Sequence, residues 1–262
     1  MDLGIKGKTA LVLGASGGLG KAVAVALARE GANVAVAARS TDKLKDVAGS
    51  LAGSGSKAMP VTWDLSDLGA IDARIGAIEA QLGAIDILIN NTGGPPPTTA
   101  AGQPLELWRS NFETMILSLI GTTDRVLPGM RERKWGRIVT ITSTGVVAPI
   151  PGLAMSNALR SSLVGWSKTL AREVARDRVT ANIVLPGRIA TDRLKFFDAH
   201  KAKQEGKTPE AIAEASSALI PAGRYGTPEE FAEVVTFLAG TGASYVTGAV
   251  IRVDGGFVPS VY

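Results

Sequence analysis

The amino-acid sequence predicts an α/β fold, with a doubly wound parallel sheet of about seven strands and helices on both faces. Short apolar segments alternate with segments of helical periodicity along the whole chain. The short segments are rich in β-branched residues and lack a polar face, which is typical of strands buried on both sides of a parallel sheet. Parallel strands joined through helices require right-handed crossovers, and these produce a doubly wound sheet.

Seven segments are predicted as strands: 9–13, 33–38, 58–63, 85–89, 137–141, 179–184 and 249–253. Helices are predicted at 19–30, 42–51, 70–82, 105–130, 153–176 and 228–238. No internal repeat or linker divides the 262 residues, so we expect a single domain.

An insert at residues 191–221 follows the sixth predicted strand and carries two polar segments that we expect to be helical. Ligands of open α/β sheets bind beyond the carboxyl ends of the strands. A long insert at this position is typical of a lid over that crevice. The alternative is a surface excursion with no functional role.

Composition argues against several classes of site. The chain has no cysteine, which excludes disulfides and thiolate ligands. Its one histidine, His200, lies in the polar stretch 200–207 and is expected in solvent, so no metal site is predicted. The net charge is only +4, without a basic cluster interleaved with aromatic residues, so nucleic acid is a poor candidate partner. Residues 1–8 lack a signal pattern and no apolar run reaches the ~20 residues of a membrane span, so we expect a cytoplasmic protein without membrane contact.

A glycine-rich turn connects the first predicted strand to the first helix. The sequence LVLGASGGLG places Gly14, Gly18 and Gly20 with Gly-x-x-x-Gly-x-Gly spacing, and Ser16 lies within the turn. Glycine permits backbone conformations and close approaches that a Cβ would block. The helix N-terminus behind such a turn offers free N–H groups to a pyrophosphate. Strand, turn and helix together predict a Rossmann-type dinucleotide site, the alternative being a tight packing turn without a ligand.

The end of the second strand predicts which dinucleotide binds. Sites for the unphosphorylated cofactor usually place Asp or Glu here, to bind the ribose 2′-hydroxyl. This chain has Ala38 in that position, followed by Arg39 and Ser40. A guanidinium can bind a 2′-phosphate bidentately, and Ser40 and Ser16 could add hydroxyl groups. We therefore predict NADP(H) rather than NAD(H), unless Arg39 merely begins a surface helix.

Two later segments fit the same site. Asp64, followed by Leu65, ends the third strand, where a carboxylate can accept a hydrogen bond from the adenine amino group. Residues 90–93, Asn-Asn-Thr-Gly, follow the fourth strand, where amides can brace the sheet and the adenosine ribose. Each segment is also ordinary turn chemistry, since Asp and Asn favour turns and caps.

These motifs together resemble the short-chain dehydrogenase/reductase family over almost the whole chain, and most of all its members similar to 3-oxoacyl-carrier-protein reductase. Further matching motifs are Thr142-Ser143 and residues 182–187, 223–230 and 253–256. The resemblance implies a closed homo-oligomer, a homodimer or homotetramer. It also implies cofactor contacts at the strand ends, for Gly14, Ser16, Gly18, Leu19, Gly20, Arg39, Ser40, Asp64, Leu65, Asn91, Gly93, Arg160, Pro186, Gly187, Ile189 and Thr191.

Members of the family use an Asn-Ser-Tyr-Lys tetrad, of which this chain retains only the serine, as Ser143. The tyrosine position, thirteen residues beyond it, is Ser156, and the lysine position, four residues further, is Arg160. The asparagine position is Met115. Three members of one proton relay have changed together, so we hypothesise that the site was rebuilt rather than damaged.

The replacements predict an altered chemistry. An aliphatic hydroxyl is a far weaker acid than a phenol with its pKa near ~10, so Ser156 is a poor general acid, although it can donate a hydrogen bond to a developing oxyanion. Arg160 lies one helical turn further on and can bind the nicotinamide ribose or an anionic substrate, but it cannot relay a proton. Met115 is apolar and would seal off the water chain that an asparagine helps to hold.

Three tyrosines are alternative sources of the acid. Tyr225 lies in a turn, Tyr245 is expected at a subunit contact, and Tyr262 could reach the crevice of a neighbouring subunit.

The crevice itself is expected to be electropositive. Arg188 and Arg193, with Arg160, favour a ligand that bears a carboxylate or a phosphate, the alternative being solvated arginines. The run 94–97, Gly-Pro-Pro-Pro, is expected to form a stiff pocket wall.

The leading hypothesis for the function is an NADPH-dependent oxidoreductase of altered mechanism. Ser143 and Ser156 would hold the carbonyl oxygen of a small-molecule substrate, Arg160 would position ribose or substrate, and the proton would come from water or the substrate. The second hypothesis is an NADPH-binding sensor or partner subunit without redox turnover. Non-redox catalysis is the third.

Overall fold

The computed structural model describes residues 2–51 and 55–261. The described chain forms a sheet of seven strands, β1 (Thr9–Leu13), β2 (Asn33–Ala38), β3 (Ala58–Thr62), β4 (Ile85–Asn90), β5 (Gly136–Ile141), β6 (Val179–Pro186) and β7 (Val250–Val253). Their spatial order is β3-β2-β1-β4-β5-β6-β7, and every neighbouring pair is parallel. The predicted doubly wound parallel sheet is confirmed.

The α-helices of the described chain are α1 (Gly18–Arg29), α2 (Thr41–Leu51), α3 (Ile71–Leu82), α4 (Leu105–Phe112), α5 (Ser118–Glu132), α6 (Ala154–Val174), α7 (Asp192–Glu205), α8 (Pro209–Ala218) and α9 (Pro228–Ala239). The helix predicted at 105–130 is instead two helices, separated by a π-helical turn at Glu113–Leu117. Such a turn keeps the chain helical while adding a residue, so helical periodicity alone does not reveal it. Within the described residues, none of the helices combines the length and apolar character needed to span a bilayer.

The sheet separates two apolar cores. On one face, Val12 and Val36 belong to a core shared with Leu27 of α1 and Phe231 of α9. On the other face, Leu11 belongs to a core shared with residues of α3, α5 and α6. Successive residues of one strand therefore enter different cores, which explains why these strands have no polar face.

The strand order reverses between β1 and β4, which creates a crevice at the carboxyl ends of these strands. The glycine turn follows β1, the loop with the three prolines follows β4, and Ser143 follows β5. The insert 191–221 follows β6 and contains the two predicted helices, α7 and α8. The fold thus brings these candidate segments to one edge of the sheet.

Candidate active site

The turn after β1 requires glycine at its predicted positions. Gly14 and Gly18 have φ angles of 62° and 52°, in the left-handed region that residues with side chains rarely adopt. A Cβ on Gly20 would lie 2.3 Å from the carbonyl oxygen of Gly14. Only glycine therefore allows α1 to begin this close to β1.

The N-terminus of α1 is open to a ligand. Gly17 occupies the N-cap position, no side chain caps the helix, and its first turn contains no acidic residue. The first N–H groups of a helix have no acceptor within the helix, and the helix dipole gives this end a positive potential. Ser16 and Leu19 are half-buried beside these groups. The arrangement can bind a pyrophosphate through backbone N–H groups.

The side chain of Asn91 braces the glycine turn. Its Nδ2 donates hydrogen bonds to the carbonyl oxygens of Leu13, at 3.2 Å, and Gly14, at 3.3 Å. The neighbouring Asn90 is fully buried and donates to Thr123 Oγ1 at 3.0 Å. Both amides hold the sheet and its turn together, whereas contact of Asn91 with the adenosine ribose stays a prediction.

Arg39 and Asp64 lie at the ends of β2 and β3. The Arg39 side chain is exposed and forms no ion pair with a carboxylate of the described chain, and Ser40 is exposed next to it. Asp64 Oδ1 accepts hydrogen bonds from the backbone N–H and the hydroxyl of Ser66, at 3.0 and 2.9 Å. These bonds, and to a smaller extent the charge of Arg39, lower the pKa of the Asp64 carboxyl. The site thus offers an unpaired guanidinium and an ionised carboxylate, with the half-buried Leu65 beyond them.

Ser143 and Ser156 place hydroxyl groups after β5 and in the first turn of α6. Ser143 Oγ accepts a hydrogen bond from the backbone N–H of Gly145 at 3.0 Å, so its own proton is available to another acceptor. Ser156 is 8% exposed, and its hydroxyl forms no hydrogen bond within the described part of the chain. Both hydroxyls can therefore donate to an oxygen atom of a ligand.

The guanidinium of Arg160 is buried among backbone carbonyl groups. Nη1 donates to the carbonyl oxygen of Ile141 at 3.2 Å, and Nη2 donates to those of Thr92 and Gly93 at 3.2 and 3.5 Å. Burial, and secondly the charge of Arg193, lower the pKa of Arg160 to about 10, so the group remains a cation at neutral pH. Arg160 therefore ties α6 to the loop after β4 and to the end of β5, and its contact with ribose or substrate stays a prediction.

Met115 lies in the π-helical turn between α4 and α5 and is 2% exposed. It belongs to the apolar core that contains Met155 and Leu159 of α6, and α6 packs against this turn. Turns of this kind occur frequently at functional sites. At this position Met115 has a thioether where the family has the amide of an asparagine. A thioether is a weak hydrogen-bond acceptor and no donor, which favours the interpretation that no water chain passes this position.

The segment after β6 closes the crevice next to the glycine turn. Pro186 is the last residue of β6, and the N–H of Gly187 donates to the end of β7 at 2.9 Å. Ile189 is buried, and Thr191 caps α7 by accepting a hydrogen bond at its Oγ1. Thr191 Cγ2 lies 3.7 Å from the position of a Cβ on Gly18. Two of the predicted cofactor residues, Gly18 after the first strand and Thr191 after the sixth, are therefore neighbours.

The tyrosines considered as alternative acids are placed differently. The phenol of Tyr225 donates a hydrogen bond to Asp198 Oδ2 at 2.9 Å, and burial raises its pKa, so it is a poor proton donor. Tyr245 is fully exposed, which fits a contact surface better than an acid. Tyr262 lies outside the described residues.

Thr98 is a positioning residue that sequence reasoning missed. Its Oγ1 accepts a hydrogen bond from the N–H of Met155 at 3.2 Å, and its own N–H donates to the carbonyl oxygen of Gly152 at 2.8 Å. These bonds hold the run 94–97 against the start of α6, next to Ser156. The only signal in the sequence was a threonine directly after three prolines.

Comparison with known proteins assigns the chain to a family. Residues 14–258 match the family model described as enoyl-(acyl carrier protein) reductase. The chain is 36% identical over 260 residues to the 3-oxoacyl-[acyl-carrier-protein] reductase of Pseudomonas aeruginosa, covering 98% of this chain and 100% of that protein. The solved L-sorbose reductase of Gluconobacter frateurii, complexed with NADPH and L-sorbose, is 31% identical with a TM-score of 0.94 and covers 100% of both chains. The structure of actinorhodin polyketide ketoreductase with NADPH is 35% identical with a TM-score of 0.91, over 95% of this chain and 97% of that one. This chain is therefore a member of the short-chain dehydrogenase/reductase family.

Proposed function

We propose that this protein is an NADP(H)-dependent oxidoreductase that interconverts a carbonyl group and an alcohol. Its family and its reductase relatives support this class of reaction. The observation that carries the proposal is the uncapped N-terminus of α1, directly behind a turn that only glycine can form. Such a helix end, at the switch point of a doubly wound sheet, is a site for the phosphates of a dinucleotide.

The residues present fit the phosphorylated cofactor. A Cβ on Gly14 would lie 2.8 Å from Nδ2 of Asn91, and a Cβ on Gly20 would lie 2.3 Å from the carbonyl oxygen of Gly14, so only glycine keeps the turn and the start of α1 in the place where the phosphates would bind. The exposed guanidinium of Arg39, with Ser16 and Ser40, would hold the 2′-phosphate, and the ionised Asp64 would accept from the adenine amino group. The bound cofactor supplies or accepts the hydride, so the chain must orient the carbonyl group and control its charge.

Ser143 and Ser156 hold the carbonyl oxygen in this proposal. The bond from Gly145 to Ser143 Oγ polarises that hydroxyl and strengthens it as a donor. The buried cation of Arg160 stabilises negative charge that develops on the oxygen. Neither serine is a strong acid, so the proton comes from water or from the substrate.

The insert 191–221 acts as a lid in this proposal and places a positively charged side chain, Arg193, at the crevice. Its helix α7 brings Arg193 to the loop after β4, where Nη2 donates to the carbonyl oxygen of Pro95 at 3.1 Å. With Arg160 beneath that loop, the crevice favours a small substrate that bears an anionic group.

The protein functions as a homodimer or homotetramer in this proposal. The exposed Tyr245, next to the edge strand β7, supports a subunit contact there. The cytoplasmic location expected from the sequence also stays a prediction.

The test of this function is NADPH oxidation by the purified protein with a panel of aldehydes and ketones. We expect turnover with at least one compound, and a loss of ~100–1000-fold in kcat when Ser143→Ala removes the hydroxyl donor. Ser110→Ala, on the exposed surface of α4, is the matched control and should leave kcat unchanged. Tight NADPH binding without oxidation by any carbonyl compound would contradict the proposal.

The second candidate function is NADPH binding without redox turnover. One observation favours it: the phenol of Tyr225, at this edge of the sheet, is tied to Asp198 and cannot replace the missing acid. The triple change Met115→Asn, Ser156→Tyr and Arg160→Lys separates the two functions. A reductase of altered mechanism should change its kcat with carbonyl substrates, whereas a sensor should show unchanged ligand binding and no turnover.

A further inference from the structure

Two guanidinium groups from different helices meet at Gly94. A Cβ on this glycine would lie 2.6 Å from Nη2 of Arg193 on α7 and 3.6 Å from Nη2 of Arg160 on α6. A side chain at position 94 would therefore displace at least one of the two cations.

Neither cation has an acidic partner in the described chain. Asp198, the buried carboxylate of α7, accepts a hydrogen bond from Tyr225 at 2.9 Å and lies 3.8 Å from Arg188. That carboxylate is thus already shared by two other groups. Arg160 and Arg193 raise each other's electrostatic energy, and the charge of Arg193 contributes to the lowered pKa of Arg160.

The two arginines differ in what they can still bind. Arg160 is 8% exposed and makes three hydrogen bonds to carbonyl oxygens. Arg193 is exposed and makes one hydrogen bond, to Pro95, while its guanidinium lies 4.9 Å from the ring centroid of Phe197. A guanidinium has five N–H donors in a planar fork, so most donors of Arg193 have no acceptor in the described chain and are available to a ligand.

We propose that Arg193 is the residue that selects the substrate, by binding the carboxylate of a short oxo acid whose carbonyl oxygen lies between Ser143 and Ser156. This inference rests on the proposed function. Arg160 connects the two parts of the site that would bind the two ends of such a substrate. It donates to the loop after β4, which also binds Arg193, and to the carbonyl oxygen of Ile141, two residues before Ser143. A carboxylate matches the fork of a single arginine bidentately and removes the repulsion between two unpaired cations.

The experiment compares acetoacetate with methyl acetoacetate, which carry the same ketone and differ in charge. With NADPH, the wild-type protein should reduce the acid with a kcat/KM ~10–100-fold above that of the ester. Arg193→Gln should remove this preference, because it should raise KM for the acid by a much larger factor than KM for the ester. Lys195→Gln is the matched control, because it removes the same charge from an exposed position of α7. It should change kcat/KM for neither substrate.

Calorimetric titration of the NADPH complex with both compounds separates this inference from the proposed function. Acetoacetate binding that is lost in Arg193→Gln and kept in Lys195→Gln supports the inference, even if no compound is reduced. Equal binding of acid and ester to the wild-type protein contradicts it, even if both are reduced. An equal loss for both compounds in Arg193→Gln also contradicts it, because Arg193 would then only hold the loop.

Discussion

The side-chain amide of Asn91 joins the end of β4 to the glycine turn, by donating to the carbonyl oxygens of Leu13 and Gly14. These carbonyl groups belong to the residues that lead the backbone from β1 towards α1. The turn is thus held by a residue from the neighbouring strand as well as by its own glycines. Because the two strands flank the switch point, this brace connects the proposed cofactor cradle to the loop of the proposed substrate site.

Replacement of Asn91 by alanine should weaken both the fold and cofactor binding. Two hydrogen bonds to half-buried carbonyl groups are lost, so we expect the free energy of unfolding to fall by ~1–3 kcal/mol. NADPH affinity should fall roughly tenfold, because the phosphate cradle is no longer preorganised. Chemical denaturation and NADPH titration measure the two effects. Asn111→Ala, which removes one bond within α4, should leave NADPH affinity unchanged, and equal affinity in both variants would refute the role of the brace.

Gly20→Ala should reduce both stability and NADPH binding, whereas alanine at another helical glycine, Gly165, should reduce neither. The new Cβ would lie 2.3 Å from the carbonyl oxygen of Gly14, so α1 must move away from β1, at a cost of ~1–3 kcal/mol. The shift also moves the N–H groups proposed to bind the pyrophosphate, so NADPH binding should be lost. Gly165→Ala in the exposed middle of α6 meets no atom within 4 Å and should stabilise the protein by ~0.5–1 kcal/mol. Thermal melts with and without NADPH distinguish the two variants, and normal NADPH binding by Gly20→Ala would contradict the proposed cradle.

The sheet could be predicted because its signals are local. The segment Thr9–Leu13 carries its β-branched and apolar residues consecutively, and the glycine turn follows it directly. The π-helical turn at Glu113–Leu117 was missed because both flanks are helical and an added residue leaves no compositional mark. Local pattern therefore decides which elements exist, but not where a helix departs from regular geometry.

The contacts of the site depended on residues far apart in the sequence. Arg160 was identified from its position in the resemblance, but its bonds to Ile141 and Thr92 span 19 and 68 positions. The bond from Asn91 to Gly14 spans 77 positions. The sequence pointed to Arg160 through the family resemblance and to Asn91 through its position after a predicted strand. It could not reveal their partners, because those partners are backbone carbonyl groups that any residue type provides.

Arg39→Ala should change the choice between the two nicotinamide cofactors. The exposed guanidinium forms no ion pair within residues 2–51 and 55–261, so its loss disturbs no protein contact of that kind. We expect NADPH affinity to fall ~10–100-fold, because a charge-assisted bidentate contact is lost, while NADH affinity stays the same. Lys43→Ala on the exposed face of α2 removes the same charge and should preserve the preference for NADPH. A parallel loss of affinity for NADPH and NADH in Arg39→Ala would mean that Arg39 does not contact the 2′-phosphate.

Glu230 should make the stability of the α9 N-terminus depend on pH. Its carboxylate accepts hydrogen bonds from Arg224, at 2.8 and 2.5 Å, and from the N–H of Thr227 at 2.8 Å. The Arg224 guanidinium first, and the Thr227 backbone second, lower the pKa of Glu230 from 4.5 to about 2. A carboxyl group with a lowered pKa stabilises the folded state above its unfolded pKa, and this contribution is lost as the pH falls towards the folded value.

The wild-type protein should therefore be more stable than Glu230→Gln by a constant amount above about pH 5.5, and the difference should shrink as the pH falls towards about 2. Denaturation midpoints of the two proteins across this range measure the difference. The stability difference between the wild-type protein and Arg224→Gln should shrink over the same pH range, because this variant removes the other partner of the same contact. A difference between the wild-type protein and Glu230→Gln that persists unchanged to the acid end would mean that the side chain acts through its shape in the capping box rather than through its charge.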